Sequence, residues 1–127
     1  MKRNLVSAFF AIFILPSMSF AEGANSVTRC HGNEPFWGLE ISKETIKLTH
    51  LDDATMTISN VGAKAADGVS ADYISLYQGR TKENNNKFMN VIIKASECSD
   101  HMSDDLYPYS VFVLSGNELL EGCCSGK

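Results

Sequence analysis

The sequence predicts an all-β domain: a small antiparallel β-barrel of about seven to eight strands in meander order, cross-linked by disulfides. Three observations predict it. Apolar and polar residues alternate with a period of two along most of the chain, which is the strand signature. Turn residues interrupt that alternation at short intervals, and no segment sustains a 3.6-residue period. Four cysteines sit in only 127 residues, behind what reads as an export signal. Closure into a barrel is the expected end state, because it hides strand edges.

The elements follow in chain order. Residues 1–21 read as a cleaved secretory leader: Lys2 and Arg3 form a positive start, Leu5 to Leu15 is almost unbroken apolar, and Pro16 ends the run. Ser19 and Ala21 place small residues at the cleavage positions. The apolar run is about half the length needed to span a bilayer, so a membrane anchor is not expected. The mature chain, 22–127, forms a single β domain. Its polar start, Glu22 to Ser26, is expected to fray.

Val27 to Cys30 can supply a first strand. Trp37, Leu39 and Ile41 alternate with Gly38, Glu40 and Ser42; Ile46 and Leu48 follow, then Met56 and Ile58. Tyr73 to Tyr77 is a short β-prone run, and Phe88 to Ala95 is apolar enough to be buried on both faces. Tyr109 to Leu114 and Leu119 to Cys124 complete the set, joined by a tight turn at Ser115-Gly116-Asn117. Polar or glycine-bearing breaks fall at Ser42-Lys43, Asp52-Asp53, Ala66 to Gly68 and Gly79 to Asn86. Only the polar stretch Ser99 to Asp105 has room for a helical turn.

Composition excludes several function classes. The chain carries 11 Lys+Arg against 15 Asp+Glu, a net charge of −4. Loss of the leader removes two basic residues and no acidic ones, so the mature domain carries −6. No basic surplus exists to neutralise phosphates, which argues against nucleic acid as a partner. The length is too short for a Rossmann or TIM-barrel enzyme. No G-x-S-x-G, S-x-x-K, H-E-x-x-H or phosphate-cradling glycine loop occurs, so an enzyme is not expected.

The cysteines are the main constraint. Behind a signal peptide, Cys30, Cys98, Cys123 and Cys124 favour two disulfides. If 119–124 is a strand, Cys123 and Cys124 point to opposite faces and reach different partners. Cys98–Cys123 with Cys30–Cys124 is the pairing preferred, with the swapped version as its alternative. A zinc or copper site is the rival, but there is no C-x-x-C and no histidine at metal-motif distance from one. No cofactor is called for. The adjacent Cys123-Cys124 keeps a redox role as a further alternative, one that closed bridges would remove.

Two stretches carry a further signal. Gly32-Asn33-Glu34-Pro35-Phe36-Trp37 spells GNEPFW, and a second pattern runs from Cys98 through Asp100, Met102-Ser103 and Tyr107-Pro108-Tyr109 to Gly122-Cys123. Both, in this order, resemble the GNEPFW family of small bacterial envelope proteins, many of them lipoproteins. The resemblance covers most of the mature chain. It implies a small envelope β domain, reminiscent of META and lysozyme-inhibitor type domains, with no established activity attached. It also implies the Cys98–Cys123 pair; a Cys30–Cys124 bridge would be a second one that the resemblance itself does not supply. This chain lacks a lipid-modifiable cysteine near the cleavage point, the first being Cys30, so a soluble periplasmic or secreted product is expected.

The candidate binding residues lie in these stretches, on loops 33–37 and 100–107. Asn33, Glu34 and Trp37 form a turn feeding a strand, with Glu34 a candidate for a partly buried carboxylate beside an aromatic wall. Asp100, His101, Met102, Ser103 and Tyr107 form a polar loop that a Cys98 bridge would hold rigid, with Met102 turned into the core. The reading is a non-catalytic binding or inhibitor module whose acidic surface suits an envelope protein of basic character, lysozyme-like enzymes being one such class. The alternative is a carrier of a small ligand or of copper or zinc, with His31, His101, Glu34 and Met102 as ligands. His50 follows a strand and reads as a surface residue.

Overall fold

The period-two segments become nine antiparallel strands in a computed structural model of the protein, which describes residues 26–52, 54–83 and 87–126. The expected leader, and the polar start expected to fray as far as residue 25, lie outside the described residues. The strands are β1 (Thr28–Asn33), β2 (Phe36–Ile41), β3 (Thr45–His50), β4 (Thr55–Ser59) and β5 (Lys64–Ala65). They continue as β6 (Ile74–Arg80), β7 (Phe88–Ser99), β8 (Leu106–Ser115) and β9 (Glu118–Cys124). All eight expected strands form. The two-residue β5 was not expected, because a pairing this short leaves no alternation to read. Gly79 and Arg80, expected in a loop, complete β6. Ser99 ends β7, and residues 101–104 make bends rather than a helical turn.

The strand order is β4-β3-β2-β1-β9-β8-β7-β6-β5. Two hairpin series, β1 to β4 and β6 to β9, are joined where the first strand meets the last. Cys30 lies opposite Cys124, and His31 opposite Cys123. The β8–β9 turn has φ +59° at Gly116 and none positive at Asn117, the pattern of a hairpin with glycine at its first central position.

One side chain in two faces inward. Leu39, Ile46, Leu48, Ile58, Val91 and Val113 are among those almost wholly buried in one core that draws on both halves of the sheet. Burial of such a side chain contributes about 1.5–3 kcal/mol, so this shared core holds the halves against each other.

The sheet curls but does not close into a barrel, which corrects the expectation. Its two ends approach at β4 and β6, where a Cβ on Gly79 would stand 3.3 Å from that of Ile58. No ladder joins them, because β5 takes the free edge of β6 at Ser75 and Leu76. The exposed edge of β4 is sealed by the chain that follows β6. Lys82 N donates to Thr57 O at 2.8 Å, and Thr57 N donates to the Glu83 carboxylate at 2.8 Å. Capping one edge and occupying the other answers the same edge problem that closure would have answered.

Candidate functional site

Both disulfides form with the preferred pairing, Cys30–Cys124 and Cys98–Cys123. The first ties directly opposed residues of β1 and β9. The second reaches across β8, since β7 and β9 are both its neighbours. Strands separated by a third lie about 10 Å apart in a flat sheet. The Cys98 and Cys123 Cα atoms are 5.6 Å apart. The strand register supplies the means: it shifts between Ala95 and Cys98, so the end of β7 and the start of β8 leave the sheet plane. This hairpin tip then lies over the outer face of β9 and reaches β1.

Asp100 organises the tip. Its Oδ1 accepts from the Met102 and Ser103 backbone N–H groups, at 3.0 and 3.2 Å. Its Oδ2 lies 3.4 Å from both His31 Nε2 and the Tyr107 hydroxyl, and its backbone oxygen accepts from Asn33 Nδ2 at 2.9 Å. The backbone hydrogen bond from Met102 holds the Asp100 carboxyl below the usual range; partial burial opposes it, and Ser103 and His31 add to it. Tyr107 meets the His31 ring edge-on at 4.9 Å. Desolvation, followed by the negative Asp100, pushes its hydroxyl upward. His101 takes φ +60° at the apex, a left-handed conformation that histidine tolerates better than most residues.

Gly32 and Gly122 explain how the β1–β2 turn comes to meet this tip. Gly32 is opposite Trp37 in register, and a Cβ there would collide with the indole. A Cβ on Gly122 would collide with the His31 carbonyl oxygen and stand 2.8 Å from Trp37 Cζ2. The two glycines therefore let the indole lie against the backbones of β1 and β9. Trp37 is buried at 5% exposure and belongs to the core, not to a binding surface.

Between the β1–β2 turn, the hairpin tip and β9 runs a groove of about 590 Å³. Asn33, Glu34, Asp100, His101 and Met102 line it, with Leu119 and Glu121 from β9. Five of the eight expected binding residues are thus brought to one place. Ser103 and Tyr107 stand behind it as supports, and Trp37 lies beneath. Glu34 is exposed rather than part-buried, and Asn33 makes the contact to the neighbouring loop. Met102 is 66% exposed and does not enter the core. His31 was expected only as a ligand of the alternative carrier, and Leu119 and Glu121 were not expected at all. For the latter two the only sequence signal was their position just before Gly122-Cys123.

The arrangement fixes what chemistry is available. Ser103 Oγ and His31 Nε2 both contact Asp100, at 3.5 and 3.4 Å. The carboxylate stands between them, whereas a hydrolytic triad needs the histidine in the middle. Among the described residues, no three of His, Cys, Asp and Glu gather to hold a metal ion. His50 contacts Glu118 at 3.0 Å, away from the groove. A second hollow, of about 640 Å³, lies at the other end of β1 and β2 and is lined by Val27, Ile41 and Tyr77. None of the motif residues reaches it.

Among the described residues, no helix is long and apolar enough to cross a membrane, which says nothing of strands. No family model, curated protein or solved structure matches this chain.

Proposed function

We propose that the protein is an exported, non-catalytic binding or inhibitor module that holds a basic protein partner in the groove between the β1–β2 turn and the β7–β8 tip. One observation carries this reading. Two loops far apart in sequence are fixed against each other by Asn33 and Asp100, over a disulfide, around a groove with carboxylates from three segments. Glu34, Asp100 and Glu121 supply the charge; Met102 and Leu119 supply apolar floor. That combination suits the aliphatic stem and cationic head of a lysine or arginine. A rigid, pre-ordered loop pair also lowers the entropy cost of association. The two disulfides favour an oxidising compartment, in keeping with a cleaved leader and a periplasmic or secreted site. The same reading takes the chain as a member of the GNEPFW family.

The test uses the mature chain immobilised against a c-type lysozyme as basic probe and an acidic protein of similar size as control. Binding of the basic probe, weakening as salt rises, is expected. The doubly reversed Glu34→Lys/Glu121→Lys variant changes only exposed side chains and should lose at least about tenfold in affinity. Equal retention of both probes, or full retention by the variant, removes the groove as the binding site.

A further inference from the structure

Among the described residues no cysteine is free, so no thiol stands ready for chemistry. The two bridges nevertheless sit in different surroundings. Cys30–Cys124 lies on the inner face, in the core, with its cysteines 3% and 0% exposed. Cys123 is the strand neighbour of Cys124 and points to the opposite, outer face, in register with His31 and Ser110. It is only 1% exposed there, because the hairpin tip lies over it. Its partner Cys98 is half-buried and lines the groove. A reagent in the groove therefore meets this bridge at Cys98, whereas the core bridge is reached only when the sheet opens.

We propose that Cys98–Cys123 is a redox switch that sets whether the groove is assembled, opened by a reducing dithiol while the fold stays intact. A thiolate of the dithiol attacks Cys98 Sγ, forming a mixed disulfide and expelling the Cys123 thiolate. The dithiol's second thiolate attacks its own sulfur in that bond, closes a cyclic disulfide and frees the Cys98 thiolate. Two electrons pass to the bridge, and the two protons lost by the dithiol pass through water to Cys98 and Cys123. The Cys123 thiolate does not exchange onward into the core bridge, because the strand sets the two on opposite faces. Once the bridge is open, the tip keeps two polar ties to β1: Asn33 to the Asp100 backbone oxygen, and His31 to the Asp100 carboxylate. Water can replace both. The tip then lifts from β9, uncovers Cys123 and dismantles the groove. Reoxidation rebuilds it, since Cys30–Cys124 keeps β1 and β9 in register throughout. Release of a basic partner on reduction rests on the function proposed above; the opening itself does not.

Titration of the oxidised mature chain with dithiothreitol, quenched by alkylation and mapped by mass spectrometry, tests this without any partner. An intermediate alkylated at Cys98 and Cys123 alone is expected. It should form at least about tenfold faster than the fully reduced chain, because the core bridge opens only with the global fold. Its circular dichroism should stay strand-rich, and reoxidation should restore the starting bridge. The Cys98→Ala variant leaves Cys123 as the one thiol and reads the tip directly. That thiol should react with a maleimide within about tenfold of the rate of a free thiol, since the tip no longer covers it. Loss of both bridges together, loss of Cys30–Cys124 first, or no reduction short of unfolding overturns the inference. So does a Cys123 thiol that stays shielded in the folded Cys98→Ala chain, or a partly reduced chain that unfolds. Selective opening upholds the switch even where the basic probe is not retained, a result that tells against the proposed function instead.

Discussion

Removing the Cys98–Cys123 bridge, by Cys98→Ala/Cys123→Ala with Cys30–Cys124 intact, tests the account of how the site is assembled. The bridge closes a sequence separation of 25 residues, for which the chain-entropy relation gives about 3.5 kcal/mol. The Cys30–Cys124 bridge already ties residue 124 to residue 30, which offers a second path around the ring. The effective loop is shorter, and the expected loss falls to about 3 kcal/mol. For a domain near 100 residues that lowers the melting temperature by about 15 °C. The loss should also be local. The hairpin tip lies over β9 because the bridge holds it there, so the Met102 and Ser103 amides should exchange far faster than the β1–β2 and β2–β3 ladder amides. Thermal unfolding followed by circular dichroism, with hydrogen exchange on the folded variant, measures both. Melting within about 5 °C of the parent would refute the entropic reasoning, since that shift corresponds to about 1 kcal/mol. Tip amides as protected as before would refute the claim that the bridge positions the site.

Other outcomes follow from the same geometry. Gly122→Ala should cost about 3 kcal/mol or more in urea unfolding, because its Cβ would collide with the His31 backbone; Gly38→Ala, with nothing within 4 Å, should cost less than about 1 kcal/mol. Asp100 is held below the usual carboxylate range, so its contribution is complete above about pH 4 and is lost as pH falls through the lower folded value. The protection of the Met102 and Ser103 amides, taken relative to their intrinsic exchange rates, should therefore fall on acidification below pH 4, and Asp100→Asn should abolish that acid dependence. Desolvation raises the Glu83 carboxyl, but the hydrogen bonds of Thr57 and its own backbone, with Lys82, outweigh this and leave it lowered. Glu83→Ala should cost about 1 kcal/mol and expose the β4 edge, read as increased aggregation on heating. Ser75 has a buried hydroxyl without a hydrogen-bond partner among the described residues, so Ser75→Ala should be neutral or stabilise by about 1 kcal/mol.

Strand identity was legible in the sequence because alternation is local: Trp37, Leu39 and Ile41 declare their common face without reference to any other segment. The GNEPFW string marked the β1–β2 turn, and Asp100 to Tyr107 marked the tip. What these residues do was not legible residue by residue. Trp37 looked like a contact residue, yet it lies under two glycines, one of them 85 positions further along the chain. Glu34 looked like a partly buried carboxylate, but it is exposed, and its neighbour Asn33 makes the link to the Asp100 backbone.

By itself, then, the sequence determined the β class, the strand positions and the even set of cysteines, since each depends on near-neighbour periodicity or on counting. Only the tertiary structure decided that β1 pairs with β9, that the sheet stays open, and that the tip folds across β9 to build the groove. The reason is physical. Closure depended on whether β5 or β4 claimed the free edge of β6, and a two-residue strand leaves no pattern in sequence. The groove depended on a register shift between Ala95 and Cys98, where a small change in pairing redirects everything beyond it.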